Sequence, residues 1–260
     1  MIFFPILNAP HVEGFTTIAN FPPNNWEVKY KGPLNLYLTF FKDGIWHNKF
    51  VESMPYNSFK TIFHADLIPL IDEDVIPLLS LNISHLPDTS EELPNPDFLS
   101  TRIPSWRASL GLMSEFSKTN YQGEVFPFPP TASMLSLSPF FQLGKDIENY
   151  VLLMNVEKKP EYRNSKVNVF DFYTKELLLT KSVSNNRINI IHLDNLKLNE
   201  KSLFALTCHN MAFIPIYFSK SKDGKFLSIE HSHPPAEHVM GNKFDAQRLI
   251  KEMCFSQLSK

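Results

Sequence analysis

Between Glu230 and His238 the sequence reads EHSHPPAEH. Three of the chain's nine histidines and two carboxylates fall within nine positions, with Pro234 and Pro235 between them. Imidazole and carboxylate are ligand types for zinc and iron: two histidines with one carboxylate suit non-haem iron, and three histidines with a water suit catalytic zinc. They are also the side chains that carry protons near neutral pH. On an extended backbone Leu227, Ile229, His231 and His233 point to one side, because side chains alternate along a strand. Pro234 holds His233 in extended conformation. The stiff corner that follows would bring Glu237 or His238 back over the two rings. The segment thus predicts a divalent-metal site, zinc or iron, with His231 and His233 as first ligands and Glu237 or His238 completing the set. His209, in TCHN, is the expected further partner, with His192, in IIHLD, the other candidate. Cys208 points opposite to His209 and is expected in the core. In an enzyme the metal would activate water or polarise a substrate oxygen, with Glu230 and Glu237 as acid/base groups and a small molecule or sugar as substrate. Two other readings of these residues stay open: a polar ligand pocket without metal, and histidines satisfied by carbonyls or solvent.

The stretch HSHPPAE resembles the first metal-binding motif of the cupin family, His-x-His followed by Glu, with Gly224 near the motif's leading glycine. The resemblance covers about 20 residues and implies His231, His233 and Glu237 as ligands. A cupin carries a second motif with a fourth histidine on later strands. Here 22 residues follow His238, and they read as a helix.

The elements that must position this segment are short and alternating. LNLYLTFF sets Leu34, Leu36, Leu38 and Phe40 on one side. Asp43-Gly44 then supplies a turn, since glycine takes positive φ without a Cβ clash, and IWHNKFV returns. A second hairpin, from Phe213–Phe218 to Phe226–His233, turns on Asp223-Gly224. Further runs at 149–157, 165–173, 175–183, 187–194 and 202–210 are spaced 8–15 residues apart. Such a ladder predicts an all-β protein: an antiparallel β-sandwich of two packed sheets, jelly-roll-like in one form. The apolar start, IFFPIL, reads as a docked terminal strand. At the other end Asn242 is the expected N-cap of an amphipathic helix whose Phe244, Ala246, Leu249, Ile250 and Met253 would pack on a sheet. The stretch 86–104 carries four prolines and suggests a boundary between an N-terminal β-rich part, 1–98, and a C-terminal sandwich with its helix, 99–260. One continuous domain is an equal reading.

Composition narrows the partners. Lys+Arg number 25 and Asp+Glu 27, which argues against a nucleic-acid footprint. The absence of an apolar run of membrane-spanning length predicts no membrane helix. Two cysteines make no disulfide framework, which points to a cytoplasmic setting. Phosphate-loop, nucleophile-elbow and Cys-x-x-Cys signatures do not occur. The competing function is a non-catalytic module that recognises a glycan or a protein through Tyr121–Glu124 or through sheet edges. Elemental analysis tests the metal expectation. Stoichiometric zinc or iron in the purified protein, lost in a His231→Ala/His233→Ala variant, is the expected result.

Overall fold

The computed structural model describes residues 2–21, 30–72, 74–96, 108–138, 144–159, 161–194, 196, 203–231 and 244–258, without the side chains of 231 and 244–248. Strands make up 54% of the structure, and they form four small sheets disposed as a four-bladed β-propeller. The two-sheet sandwich expected from the strand ladder is therefore corrected.

The first blade has the order β1-β6-β3-β4-β7, with β1 at Phe4–Pro5, β3 at Leu34–Lys42, β4 at Ile45–Met54, β6 at Leu78–Asn82 and β7 at Thr89–Ser90. The second is β5-β2-β8-β9, from β2 (Glu13–Asn20), β5 (Ser58–Phe63), β8 (Ser109–Met113) and β9 (Lys118–Gln122). The third is β14-β11-β16-β17, from β11 (Ile147–Met154), β14 (Ile188–His192), β16 (Ile214–Ser221) and β17 (Leu227–His231). The fourth is β10-β15-β12-β13, from β10 (Met134–Ser138), β12 (Asn164–Asp171), β13 (Leu177–Ser184) and β15 (Phe204–Cys208). All pairings between these strands are antiparallel. Strands on the two sides of the proline-rich stretch share the second blade, where β2 pairs with β8.

Alternation explains why four sheets form. Leu34, Leu36, Leu38 and Phe40 pack with Ile18, Ile62 and Leu110 of the second blade. Phe41, Trp46 and Leu78 lie on the opposite face of the first blade. They pack with Tyr150, Leu152, Met154, Ile216 and Phe218 of the third. Val151, Leu153 and Tyr217 turn the other way and meet Val167, Val169, Phe204 and Leu206 of the fourth. The first and third blades are thus covered on both faces. A sandwich leaves one face of each sheet to water, whereas neighbouring blades cover each other. Runs such as YVLLM and LLSL carry this double burial in the sequence.

Both expected hairpins form, with Gly44 at φ 78° and Gly224 at φ 72°. The start of the chain docks as β1, where Phe4 pairs with Leu79. The helix also forms, as α1 at Phe244–Leu258, but it packs through another stripe. Leu258 joins Phe170 and Ala205, Phe255 meets His209, and Lys251 Nζ donates to the Ser133 carbonyl at 2.7 Å. The expected contact residues Leu249, Ile250 and Met253 are 58, 63 and 63% exposed. Positions 251, 254, 255 and 258 recur at helical spacing on the opposite side, and it is Phe255 and Leu258 there that the sheet buries.

One buried ion pair joins the third and fourth blades. The carboxylate of Glu157, a residue 3% exposed, accepts from Arg163 Nη1 at 2.7 Å. Arg163 Nη2 donates to the carbonyls of Pro130 and Asn210. Asn185 Nδ2 donates to Glu157 Oε2 and the Glu161 carbonyl, and Asn186 Oδ1 accepts from the Glu157 amide. Asn186 has φ 54°, a left-handed conformation that asparagine tolerates. Removing one partner strands the other charge in the interior, at about 3 kcal/mol. Urea denaturation of Arg163→Ala is expected to register a loss of that order, while Lys49→Ala on an exposed position of β4 leaves the midpoint unchanged.

Candidate functional site

The residues read as a metal site are only partly placed. Glu230 is exposed on β17, pairing with Tyr217, and His231 pairs with Ile216. His233, Glu237 and His238 lie outside the described residues, as does the His231 side chain. His209 follows β15 in the fourth blade, exposed, its ring 4.2 Å from that of Phe255. Cys208 is buried beside it, as alternation requires. His192 shares the third blade with His231 but stands on its opposite edge. The row His192–Tyr150–Phe218–Ile229 crosses the sheet, so three strand spacings, about 14 Å, separate His192 from β17. Among the described residues no group of three or more His, Cys, Asp or Glu is placed to hold a metal.

Sequence reading did not anticipate the polar cluster around His192. Its Nε2 lies 2.8 Å from Asp194 Oδ2, and its ring stacks on Tyr150 at 4.6 Å, which stacks on Phe218 at 4.7 Å. Asp194 Oδ1 accepts from the Asn149 amide, and Ser219 Oγ donates to Asn149 Oδ1 at 2.7 Å. Next to Tyr150, Glu148 binds the buried Lys220 ammonium and the Tyr150 hydroxyl. Every one of these side chains answers another in the cluster, and the Ser219 hydroxyl is committed to an amide oxygen. The arrangement closes the end of the blade rather than presenting a nucleophile to a substrate.

The Tyr121–Glu124 stretch is largely turned inward. Tyr121 packs against the cores on both sides of the first blade, and burial pushes its hydroxyl well above the usual tyrosine range. Glu124 is buried, while Gln122 is exposed.

An open surface is found at the outer edge of the fourth blade. β13 pairs with β12 on one side, and no described strand pairs with the other. Which backbone groups face outward follows from the hydrogen bonds at its ends. The Asn185 amide donates to the Arg163 carbonyl and the Asp171 amide to the Glu176 carbonyl, so Val183, Lys181 and Leu179 turn towards β12. Ser184, Ser182 and Thr180 turn away. Ser184 confirms the alternation. Its amide donates to Asn189 Oδ1 at 2.8 Å, and its carbonyl accepts from Asn189 Nδ2 at 2.9 Å. Thr180 and Ser182 have no such cover among the described residues. Leu177, Leu178 and Leu179 lie at the start of the same edge, with Leu177 exposed, and a bulge opposite Val169/Phe170 shifts the register there. The alternating run LLLTKSV carries this strand in the sequence, but nothing in it distinguishes an edge from a central strand.

Comparison of the chain with family models, with characterised proteins and with solved structures finds no match.

Glu148 gives a pH dependence with a definite sign. Its hydrogen bond to Lys220 holds the carboxyl below the usual glutamate range, against the opposing effect of burial. A group with a lowered folded-state pKa adds stability above its unfolded pKa, about 4.3, and loses it as pH falls through the folded value. Thermal unfolding below about pH 4 is expected to show a steeper loss for the wild type than for Glu148→Gln.

Proposed function

We propose that this protein is a non-catalytic recognition module that captures an extended segment of a partner protein as an added strand on the outer edge of β13. The observation that carries the reading is the pair of outward-facing peptide groups at Thr180 and Ser182, on a strand of eight residues whose neighbours include Leu177, Leu178 and Leu179. An unpaired edge of this length is a template for another chain, and proteins that do not use it blunt it with proline, a covering loop or very short strands. β7, with two residues, is a short edge of that kind, and β1 ends in a proline. β13 has neither feature; its guards are the charge of Lys181 and the bulge opposite Val169/Phe170, which leave the outward groups of Thr180 and Ser182 uncovered among the described residues. Backbone hydrogen bonds would give affinity there, and the aliphatic side chains at its start would add contact for alternate residues of the partner.

Ser182→Pro tests the reading. Its N–H faces away from β12, so proline removes a donor to the partner and none from the fold, and the preceding Lys181 is already extended. The measurement is fluorescence anisotropy with a panel of extended peptides of about ten residues. Binding by the wild type, weakened roughly tenfold in Ser182→Pro with little change in melting temperature, is expected for the loss of one interchain bond. Peptides that bind both proteins equally, or neither, would sink it.

A further inference from the structure

The charges beside this edge say what kind of segment it would take. In the paired stretches 164–170 and 177–184 of the outer ladder of the fourth blade the charged residues are Lys166 and Lys181, while Asp171 and Glu176 lie beyond the bulge at the Leu177 end. Both lysines are exposed, and neither makes an ion pair among the described residues. They stand on opposite faces of the sheet. Lys166 pairs with Ser182, and Lys181 pairs with Val167, so one ammonium flanks each face of the added strand's position. A residue placed opposite Ser182 would lie two strand spacings from Lys166, about 10 Å, a gap that an extended lysine and a glutamate close between them. A residue on the other face would sit directly beside Lys181.

A second copy of this chain is a poor occupant. Two β13 strands can pair antiparallel about Thr180, Lys181 or Ser182 with their outward groups matched. In the second register the two Lys181 side chains stand directly opposite each other. In the first and third they are diagonal neighbours on one face. Like charges at either position oppose pairing. The same lysine that disfavours self-association favours a partner of opposite sign, so one residue both attracts and excludes.

Resting on the strand-addition reading of β13, we infer that the partner segment is acidic: an extended chain with Asp or Glu on both faces beside Lys166 and Lys181, and aliphatic residues beside Leu177–Leu179. Two synthetic peptides test this. They share one β-forming sequence and differ in carrying Glu or Lys at the same two positions. Anisotropy on the full chain is expected to give a roughly tenfold preference for the Glu peptide at low salt. The preference should shrink in about 0.5 M salt and reverse in Lys166→Glu/Lys181→Glu. Equal affinities for the two peptides in the wild type, or a preference that survives the double reversal, would overturn the acidic assignment while leaving strand addition standing. If neither peptide binds, strand addition fails and the assignment with it.

Discussion

Two of the four blades are packed against a neighbouring blade on both faces, and the rest of the structure follows from that constraint. In the third blade Tyr150, Leu152 and Met154 pack one way, and Val151 and Leu153 the other. The backbone groups of β11 along Tyr150–Met154 are then matched by β14 and β16, because buried peptide groups need a partner. Several of the polar side chains buried there are answered by a partner. Asn149 has Asp194 and Ser219, Glu157 has Arg163 and Asn185, and Asn155 donates to the Ala212 carbonyl. These clusters sit at the ends of strands, where the apolar layers stop. The Asn149 and Asn155 clusters hold strands of the third blade together, and the Glu157–Arg163 cluster ties the third blade to the fourth, through directional bonds that dispersion contacts between aliphatic side chains cannot supply.

The same constraint separates what the sequence discloses from what it hides. Strand positions are legible because alternation and Asp-Gly turns are local. The hairpins at Asp43-Gly44 and Asp223-Gly224 and the strand Leu34–Lys42 need no distant information. The number of sheets is not legible in this way. A strand buried on both faces, such as Ile147–Met154, reads as a short apolar run whether its neighbours belong to one further layer or two. The strand order adds to the difficulty, since β11 lies between β14 and β16 and β15 lies between β10 and β12. Long-range pairings of this kind leave no mark in spacing. The helix shows a related ambiguity. It carries two apolar stripes, and only the sheet decides that Phe255 and Leu258 go inward while Leu249, Ile250 and Met253 stay out.

Functional residues divide along the same line. Ligand types clustered at 230–238 are conspicuous in one dimension, yet the histidines named with them as helpers lie elsewhere. His209 is on another blade, and His192 is on the far edge of the same one. The cluster of His192, Asp194, Tyr150 and Glu148, with Ser219 and Lys220, is assembled from β14, β11 and β16 and has no sequence signature. The outer edge of β13 is equally silent, because an edge is defined by what fails to pair with it.

Asn189 has a consequence for that edge. By taking both peptide groups of Ser184, its carboxamide imitates one residue of a neighbouring strand and ends the free ladder there. A chain added there would meet a fixed stop on one side and the kink at Leu177–Leu179 on the other. Between them lie Thr180 to Val183, four residues or about 13 Å of extended chain. The window limits how far along the edge a visitor could slide.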